Sequence, residues 1–116
     1  MHQRYEVLSG SGTVNNATPS IALIAAPLAG ETIRLTAFVV SVTTAATGGS
    51  GVVTLKDGSN VIQRWDANGT MASQIHLGDA LGYPLTPGNA LNLVVENAVA
   101  NQATAYASAV GYLMEP

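Results

Sequence analysis

Few side chains in this sequence have the chemistry of a catalyst or a metal ligand. The two histidines are His2, at the start of the chain, and His76, which is followed three residues later by Asp79. A zinc site takes three or four ligands held by the scaffold, and the sequence contains no cysteine to complete such a set. His76 is therefore predicted to be an ordinary strand or surface residue, and no metal site is expected.

The serines and carboxylates form no recognisable catalytic set either. No serine lies in a Gly-x-Ser-x-Gly elbow. The segment 66–69, Asp-Ala-Asn-Gly, resembles the opening of a calcium loop but lacks the later ligands, and 48–51, Gly-Gly-Ser-Gly, lacks the lysine of a phosphate-binding loop. The sequence does not test a carboxylate pair for glycoside cleavage, because the fold sets the separation of the two groups. We predict a non-catalytic protein with no cofactor.

The charge content is unusually low. Only 9% of the residues are charged, against about 25% in an ordinary soluble domain. The four basic residues, Arg4, Arg34, Lys56 and Arg64, are scattered, whereas nucleic-acid binding requires a basic cluster. No apolar run approaches the roughly 20 residues of a membrane-spanning helix. We expect neither a nucleic-acid nor a membrane partner. A weakly charged monomer and burial in an oligomer both fit this composition, and we favour the oligomer.

Strand patterns repeat along the whole chain. Runs rich in β-branched and aromatic residues alternate with Gly, Pro, Asn and Asp, and no stretch has a helical period. Eight strands are predicted, at residues 3–9, 20–25, 32–43, 51–56, 60–65, 71–77, 90–96 and 103–114. Asp57-Gly58 predicts a tight hairpin turn, because both residues tolerate positive φ. This number and spacing of strands predict an antiparallel β-sandwich of jelly-roll type.

The chain is long enough for one domain with its own core. We predict that residues 19–116 form that domain. Residues 1–18 are predicted to be a flexible N-terminal arm with a possible first strand, because the Ser-Gly-Ser-Gly segment at 9–12 interrupts the strand pattern. Such an arm would reach onto a neighbouring subunit.

Two predicted strands have informative side-chain columns. Strict alternation in 32–43 places one column on each face, namely Ile33, Leu35, Ala37 and Val39 against Arg34, Thr36, Phe38, Val40 and Val42. In 103–114 a column of Ala105, Ala107, Ala109, Gly111 and Leu113 opposes a column of Tyr106, Ser108, Val110, Tyr112 and Met114. Small residues permit close approach of another sheet or subunit. The tyrosines either cover the core edge or form a subunit interface, and the sequence leaves both open.

The aromatic residues are the candidates for partner binding, because amphipathic aromatics are enriched at interfaces. The candidates, on the expectation that they are exposed or at strand edges, are Tyr5, Phe38, Trp65, Tyr83, Tyr106 and Tyr112. Trp65, the only tryptophan, has three interpretations: a sugar-stacking platform, a binding anchor or a cap on the core.

Two segments carry a resemblance to a known group of proteins. They are 33–41 followed by 53–59, and 82–93, which reads Gly-Tyr-Pro-Leu-Thr-Pro-Gly-Asn-Ala-Leu-Asn-Leu. Their rhythm resembles small β-sandwich virion proteins of tailed bacteriophages, the group of head decoration (cement) proteins and head-fibre proteins. The resemblance extends over roughly residues 20–115. It implies a jelly-roll-like fold, a homotrimer, binding to the major capsid protein, and a place on the capsid surface after assembly in the bacterial cytoplasm.

The resemblance and the composition together predict a capsid decoration protein that self-associates and stabilises the coat-protein shell. The alternative is a host-recognition or carbohydrate-binding module of a phage fibre or tail. That module would present the loops at 44–51 and 66–70 around Trp65 or Tyr83.

Overall fold

The computed structural model describes residues 5–15, 17–44, 50–68, 83–96 and 103–114. Over these residues the protein is all-β, as predicted. Its strands are Tyr5–Val14 (β1), Ser20–Ile24 (β2), Thr32–Thr44 (β3), Ser50–Asp57 (β4), Asn60–Asn68 (β5), Tyr83–Pro84 (β6), Leu91–Glu96 (β7) and Ala103–Met114 (β8). The strand predicted at 71–77 lies outside the described residues. The two-residue strand β6 was not predicted.

The strands form two four-stranded antiparallel sheets. The first sheet has the order β1-β8-β3-β6 and the second has the order β2-β7-β4-β5. The hydrogen-bonded pairs therefore include β1 with β8, β2 with β7, β3 with β6 and β4 with β5. The first strand pairs with the last, the second with the second-to-last, and so on to the central pair. This pairing pattern is the jelly-roll arrangement. The predicted fold class is confirmed.

A β-bulge at Thr36 changes which side of β3 faces the core. Leu35 pairs with Gly111 and Ala37 pairs with Val110, so Thr36 is an extra residue in the strand. Its Oγ1 donates a hydrogen bond to the carbonyl oxygen of Val110 at 2.8 Å. Because side chains alternate with a period of two, one extra residue exchanges the two faces.

The bulge overturns part of the strict alternation predicted for this strand. Before the bulge the inward residues are Ile33 and Leu35, and after it they are Phe38, Val40 and Val42, all of them buried. Ala37 and Val39, predicted to share the face of Ile33, therefore point outward. Phe38, Val40 and Val42 join the core instead of the face that carries Arg34.

The split predicted for β8 is present. Ala105, Ala107 and Ala109 are buried between the sheets, whereas Tyr106 and Val110 are exposed. The column of small residues therefore faces the second sheet of its own chain. Gly111 is also buried and continues the same column by alternation. A Cβ at this position would collide with the carbonyl oxygen of Arg34 in the neighbouring strand β3.

The Ser-Gly-Ser-Gly segment lies inside β1, where the sequence predicted a break. All ten residues of β1 pair with β8 of the same chain without a register shift. Glycine is required at 10 because a Cβ would overlap the backbone carbonyl of Leu23 in β2, and a Cβ at Gly12 would meet the side chain of Ile21. Over 5–14 the predicted arm is thus a strand of its own sheet. The division into 1–18 and 19–116 stays a prediction.

A buried carboxylate fastens the predicted hairpin turn to the second half of the chain. Gly58 has a φ of 61°, and Asp57 pairs with Asn60, which confirms the two-residue hairpin. The carboxylate of Asp57 accepts hydrogen bonds from the backbone N–H of Thr86 (2.9 Å) and from the Thr86 hydroxyl (2.8 Å). It also accepts one from Nδ2 of Asn89 (3.1 Å). These contacts hold the β4–β5 turn against the segment between β6 and β7.

Replacing Gly10 by alanine is expected to lower the free energy of unfolding by about 1–3 kcal/mol, because the new methyl group overlaps the backbone of Leu23 and the strand must shift. Ser9→Ala is the matched control, since Ser9 lies on the exposed side of the same strand. Denaturant unfolding measures both. Equal stabilities of the two variants would contradict the close contact between β1 and β2.

Replacing Asp57 by alanine is expected to lower the free energy of unfolding by about 2–3 kcal/mol, because the donors of Thr86 and Asn89 lose a charged acceptor in a partly buried place. Asp66→Ala serves as the control, since Asp66 is exposed and its contact with Arg64 is a surface ion pair. Thermal and denaturant unfolding report the difference. A loss of stability no larger than that of Asp66→Ala would show that the hydrogen bonds of Asp57 contribute little to stability.

Candidate docking surface

The charged groups of the described residues are distributed unevenly. The outer side of the second sheet carries two ion pairs, Lys56 with Glu96 (2.8 Å) and Arg64 with Asp66 (3.2 Å). The other described charges are Asp57, which is hydrogen-bonded to Thr86, the glutamates Glu6 and Glu31 at one end of the sandwich, and Arg34. Arg34 lies at the end of the first sheet, where its Nε contacts Sδ of Met114 at 2.7 Å.

The outer side of the first sheet is left without charge over most of its length. We call it the uncharged face and define it by outward residues of three neighbouring strands, without Arg34, which is outward at one end of β3 in the row of Val7 and Tyr112. They are Val7, Ser9, Ser11 and Thr13 of β1, Thr104, Tyr106, Ser108, Val110 and Tyr112 of β8, and Ala37, Val39, Ser41 and Thr43 of β3. Every member is apolar, aromatic or hydroxylated.

The strand register arranges these side chains in rows across the sheet. Tyr106 lies between Thr13 and Ser41, and Val110 lies between Ser9 and Ala37. Val7 is 77% exposed, Tyr106 52% and Val110 43%. Ser9, Ser11 and Ser108 line a shallow depression between Tyr106 and Val110. The surface therefore offers exposed apolar groups with hydroxyl donors and acceptors between them.

The aromatic candidates are not brought together. Tyr106 is exposed and Tyr112 is partly buried, and both lie on the uncharged face. Tyr83 is exposed in β6, at the far edge of the same sheet from β1. Tyr5 begins β1, but its side chain lies outside the described side chains.

Phe38 and Trp65 do not have the exposure predicted for them. Both are buried, with ring centroids 6.2 Å apart and planes at 83°, an edge-to-face contact inside the core. The bulge at Thr36 turns Phe38 inward, and Trp65 follows the inward column of β5 opposite Val53. Of the three interpretations of Trp65, the cap on the core fits this position, so Trp65 gives no support to a sugar platform.

The sequence did not single out Val7 or Val110 as candidates. The sequence places Val110 in the same column as the tyrosines of β8 and leaves open which column of that strand faces outward. Val7 preceded a segment taken for a loop, so no face was assigned to it. The available signal was the alternation of 7, 9, 11 and 13 against the glycines at 10 and 12, which marks the odd positions as outward.

The described residues contain no group of three or more histidine, aspartate or glutamate side chains that could hold a metal ion. None of the described segments is a helix long and apolar enough to cross a membrane. The calcium-like segment at 66–69 is described only up to residue 68, where it forms the end of β5.

The contacts of Glu96, on the outer side of the second sheet, shift the pKa of its carboxylate. Glu96 accepts hydrogen bonds from Nζ of Lys56 at 2.8 Å and from the hydroxyl of Thr54 at 3.0 Å. These two contacts lower the pKa of Glu96 below its ordinary value of 4.5, against the opposing effect of partial burial. A more distant attraction from Arg64 adds to the shift.

Because the pKa of Glu96 is lowered on folding, its contribution to stability is present above about pH 4.5 and is lost as the pH falls through the folded-state pKa. Lys56→Met is expected to raise the pKa of Glu96 towards 4.5. Arg64→Met is expected to raise it less, because Arg64 acts only at a distance. NMR titration of the Glu96 carboxyl carbon measures both, and an unchanged pKa in Lys56→Met would contradict the assignment.

The chain matches no protein-family model and no curated protein sequence. Among solved structures it is similar to one of Bacillus endospore appendages, described as a novel family of disulfide-linked pili, with a TM-score of 0.44 and 7% identity over 98% of this chain and 89% of that chain. It is also similar to a chain of the cyanophage Pam1 capsid asymmetric unit, with a TM-score of 0.47 and 17% identity over 98% of this chain and 86% of that one. At these TM-scores and identities, neither similarity shows a shared family or a shared function.

Proposed function

We propose that this chain is a non-catalytic structural protein of a bacteriophage virion, specifically a capsid decoration protein that self-associates and binds the coat-protein shell. The observation that carries the proposal is the uncharged face, an exposed sheet surface with apolar and hydroxyl groups, while the Lys56–Glu96 and Arg64–Asp66 ion pairs lie on the other sheet. The jelly-roll strand order agrees with the fold implied by the sequence resemblance.

The chemistry of the uncharged face suits docking onto a broad protein surface. Burying a charge costs several kcal/mol unless it is paired, whereas burying apolar area is favourable by about 25 cal/mol per Å². The exposed side chains of Val7, Tyr106 and Val110 supply apolar area without a charge to desolvate. The hydroxyls of Ser9, Ser11 and Ser108 lie between them and provide hydrogen-bond partners for a polar rim.

A decoration protein needs no catalytic group, because it acts through mass action. Binding only to the assembled shell stabilises that state relative to free coat subunits. The partner in this proposal is the major capsid protein, and the location is the outer surface of the capsid. The proposed oligomeric state is a homotrimer, which is what the sequence resemblance implies.

Val110→Lys is the test of the uncharged face. The variant places an ammonium group in the middle of the proposed contact, so its affinity for coat-protein shells is expected to fall at least about tenfold. Val61→Lys is the matched control, since Val61 is 57% exposed on the second sheet and its replacement is expected to leave the affinity within about twofold. Co-sedimentation with shells assembled from coat protein alone measures both.

Circular dichroism and thermal unfolding establish that both variants are folded. Equal losses in the two variants, or no binding by the unsubstituted protein, would reject the proposal.

A further inference from the structure

We infer that β1 pairs edge to edge with β1 of a second copy of this chain, antiparallel and about a two-fold axis, so that the first sheets of two copies become one continuous sheet. This inference goes beyond the proposed function, because it requires neither the shell nor a trimer. On a trimer it would be a second contact, joining one trimer to another.

The four edges of the two sheets are protected to different degrees. β6, the far edge of the first sheet, is two residues long and includes Pro84. In the second sheet, β2 has five residues and a register shift after Ala22. The other edge, β5, has a register shift opposite Leu55 and Lys56 and carries the exposed Arg64–Asp66 pair. Short length, proline, bulges and charge are the devices by which natural sheets prevent edge pairing.

β1 has only one of these devices, a single charge near its first residue. It is ten residues long, its pairing with β8 has no register shift, and it contains neither proline nor lysine. Glu6 is its only charged residue. A strand of this length is about 34 Å long. A straight, nearly uncharged edge of that length is the usual template for pairing with another strand.

The alternation of side chains restricts how two β1 strands can pair. Outward residues must oppose outward residues, so the two-fold axis passes through a residue and not between two. We place the axis at Gly10, which sets Val7 against Thr13 of the second copy and Ser9 against its Ser11. Nine residues then overlap, which allows about eight or ten backbone hydrogen bonds, because these bonds come in pairs at alternate residues.

This register is self-complementary. Two β-branched side chains oppose each other on the exposed side, and two serines oppose each other near the axis. On the inner side, the large Leu8 faces Gly12 of the second copy. Glu6 faces Val14, so the two glutamates of the pair are not opposite each other.

A second copy is the occupant that the edges favour. Head-to-tail extension of the first sheet would need an equally long strand at its other edge, and β6 has only two residues. Symmetric pairing of β1 with β1 needs no second edge and closes on itself. It also joins two uncharged faces side by side.

Cysteine cross-linking tests the contact directly, because the native chain has no cysteine. Ser9→Cys in a tagged copy, mixed with Ser11→Cys in an untagged copy, is expected to form disulfide-linked heterodimers under mild oxidation. Opposite residues in an antiparallel pair have Cα atoms about 4.5–5.5 Å apart, within disulfide range, whereas diagonal neighbours at about 7–8 Å are outside it. Ser59→Cys is the control, an exposed serine in the β4–β5 turn.

The yields separate the possible results. Heterodimers above the Ser59→Cys background confirm the pairing with its axis at Gly10. Dimers from Ser9→Cys alone support edge pairing but overturn this register. Yields at background in every combination, together with a mass by light scattering that is never an even multiple of 11.8 kDa, overturn the inference.

A second variant tests the same contact without a disulfide. The double substitution Ser9→Lys with Ser11→Lys sets ammonium groups opposite each other in two symmetric pairs, and the dissociation constant of the pairing is expected to rise about tenfold. Val110→Lys lies one strand further in and is expected to leave the edge pairing in place. Edge pairing by an unsubstituted protein that does not bind shells would reject the proposed function alone.

Discussion

The structure depends on how closely its two sheets approach along β1 and β8. The inward positions there are glycine or alanine over most of their length, and a Cβ at Gly10 would overlap the backbone of Leu23 in the facing sheet. Such a thin layer cannot accommodate large side chains. Val7 and Val110 are directed outward, as is Tyr106, whereas Val14 at the end of β1 belongs to the core.

The thicker part of the core lies under β3, β4 and β7, where leucine, isoleucine and valine fill the space between the sheets. Phe38 and Trp65 complete it with their edge-to-face contact. The bulge at Thr36 links the two regions, because it exchanges the faces of β3 between Leu35 and Phe38. Without that extra residue, Phe38, Val40 and Val42 would be exposed, and the sandwich would lose much of its apolar interior.

The electrostatics follow the same division. The few described charges are paired or hydrogen-bonded on the second sheet and in the turn that Asp57 fastens, or they lie at the ends of the sandwich. Low overall charge is usually a liability for solubility. Here the scarcity of charge is concentrated on one extended surface, the uncharged face. A surface of this kind can be buried in an assembly with little cost of desolvating charges.

The sequence by itself determined the elements that depend on local chemistry. Asp57-Gly58 predicted a hairpin, and Gly58 supplies the positive φ there, while Asp57 is the last residue of β4. The alternation of alanine with tyrosine in β8 separated two columns but did not determine which of them faces the core. The strand spacing was sufficient to predict a jelly-roll sandwich. Only the tertiary structure decided that Ser-Gly-Ser-Gly belongs to a strand. Gly10 packs so closely against the backbone of Leu23, in another strand, that a Cβ has no space there. The tertiary structure also decided that Phe38 is buried, since the bulge at Thr36 forms between paired strands and cannot be read from one strand alone. Trp65 is buried because it lies opposite Val53 on the inward side of β5.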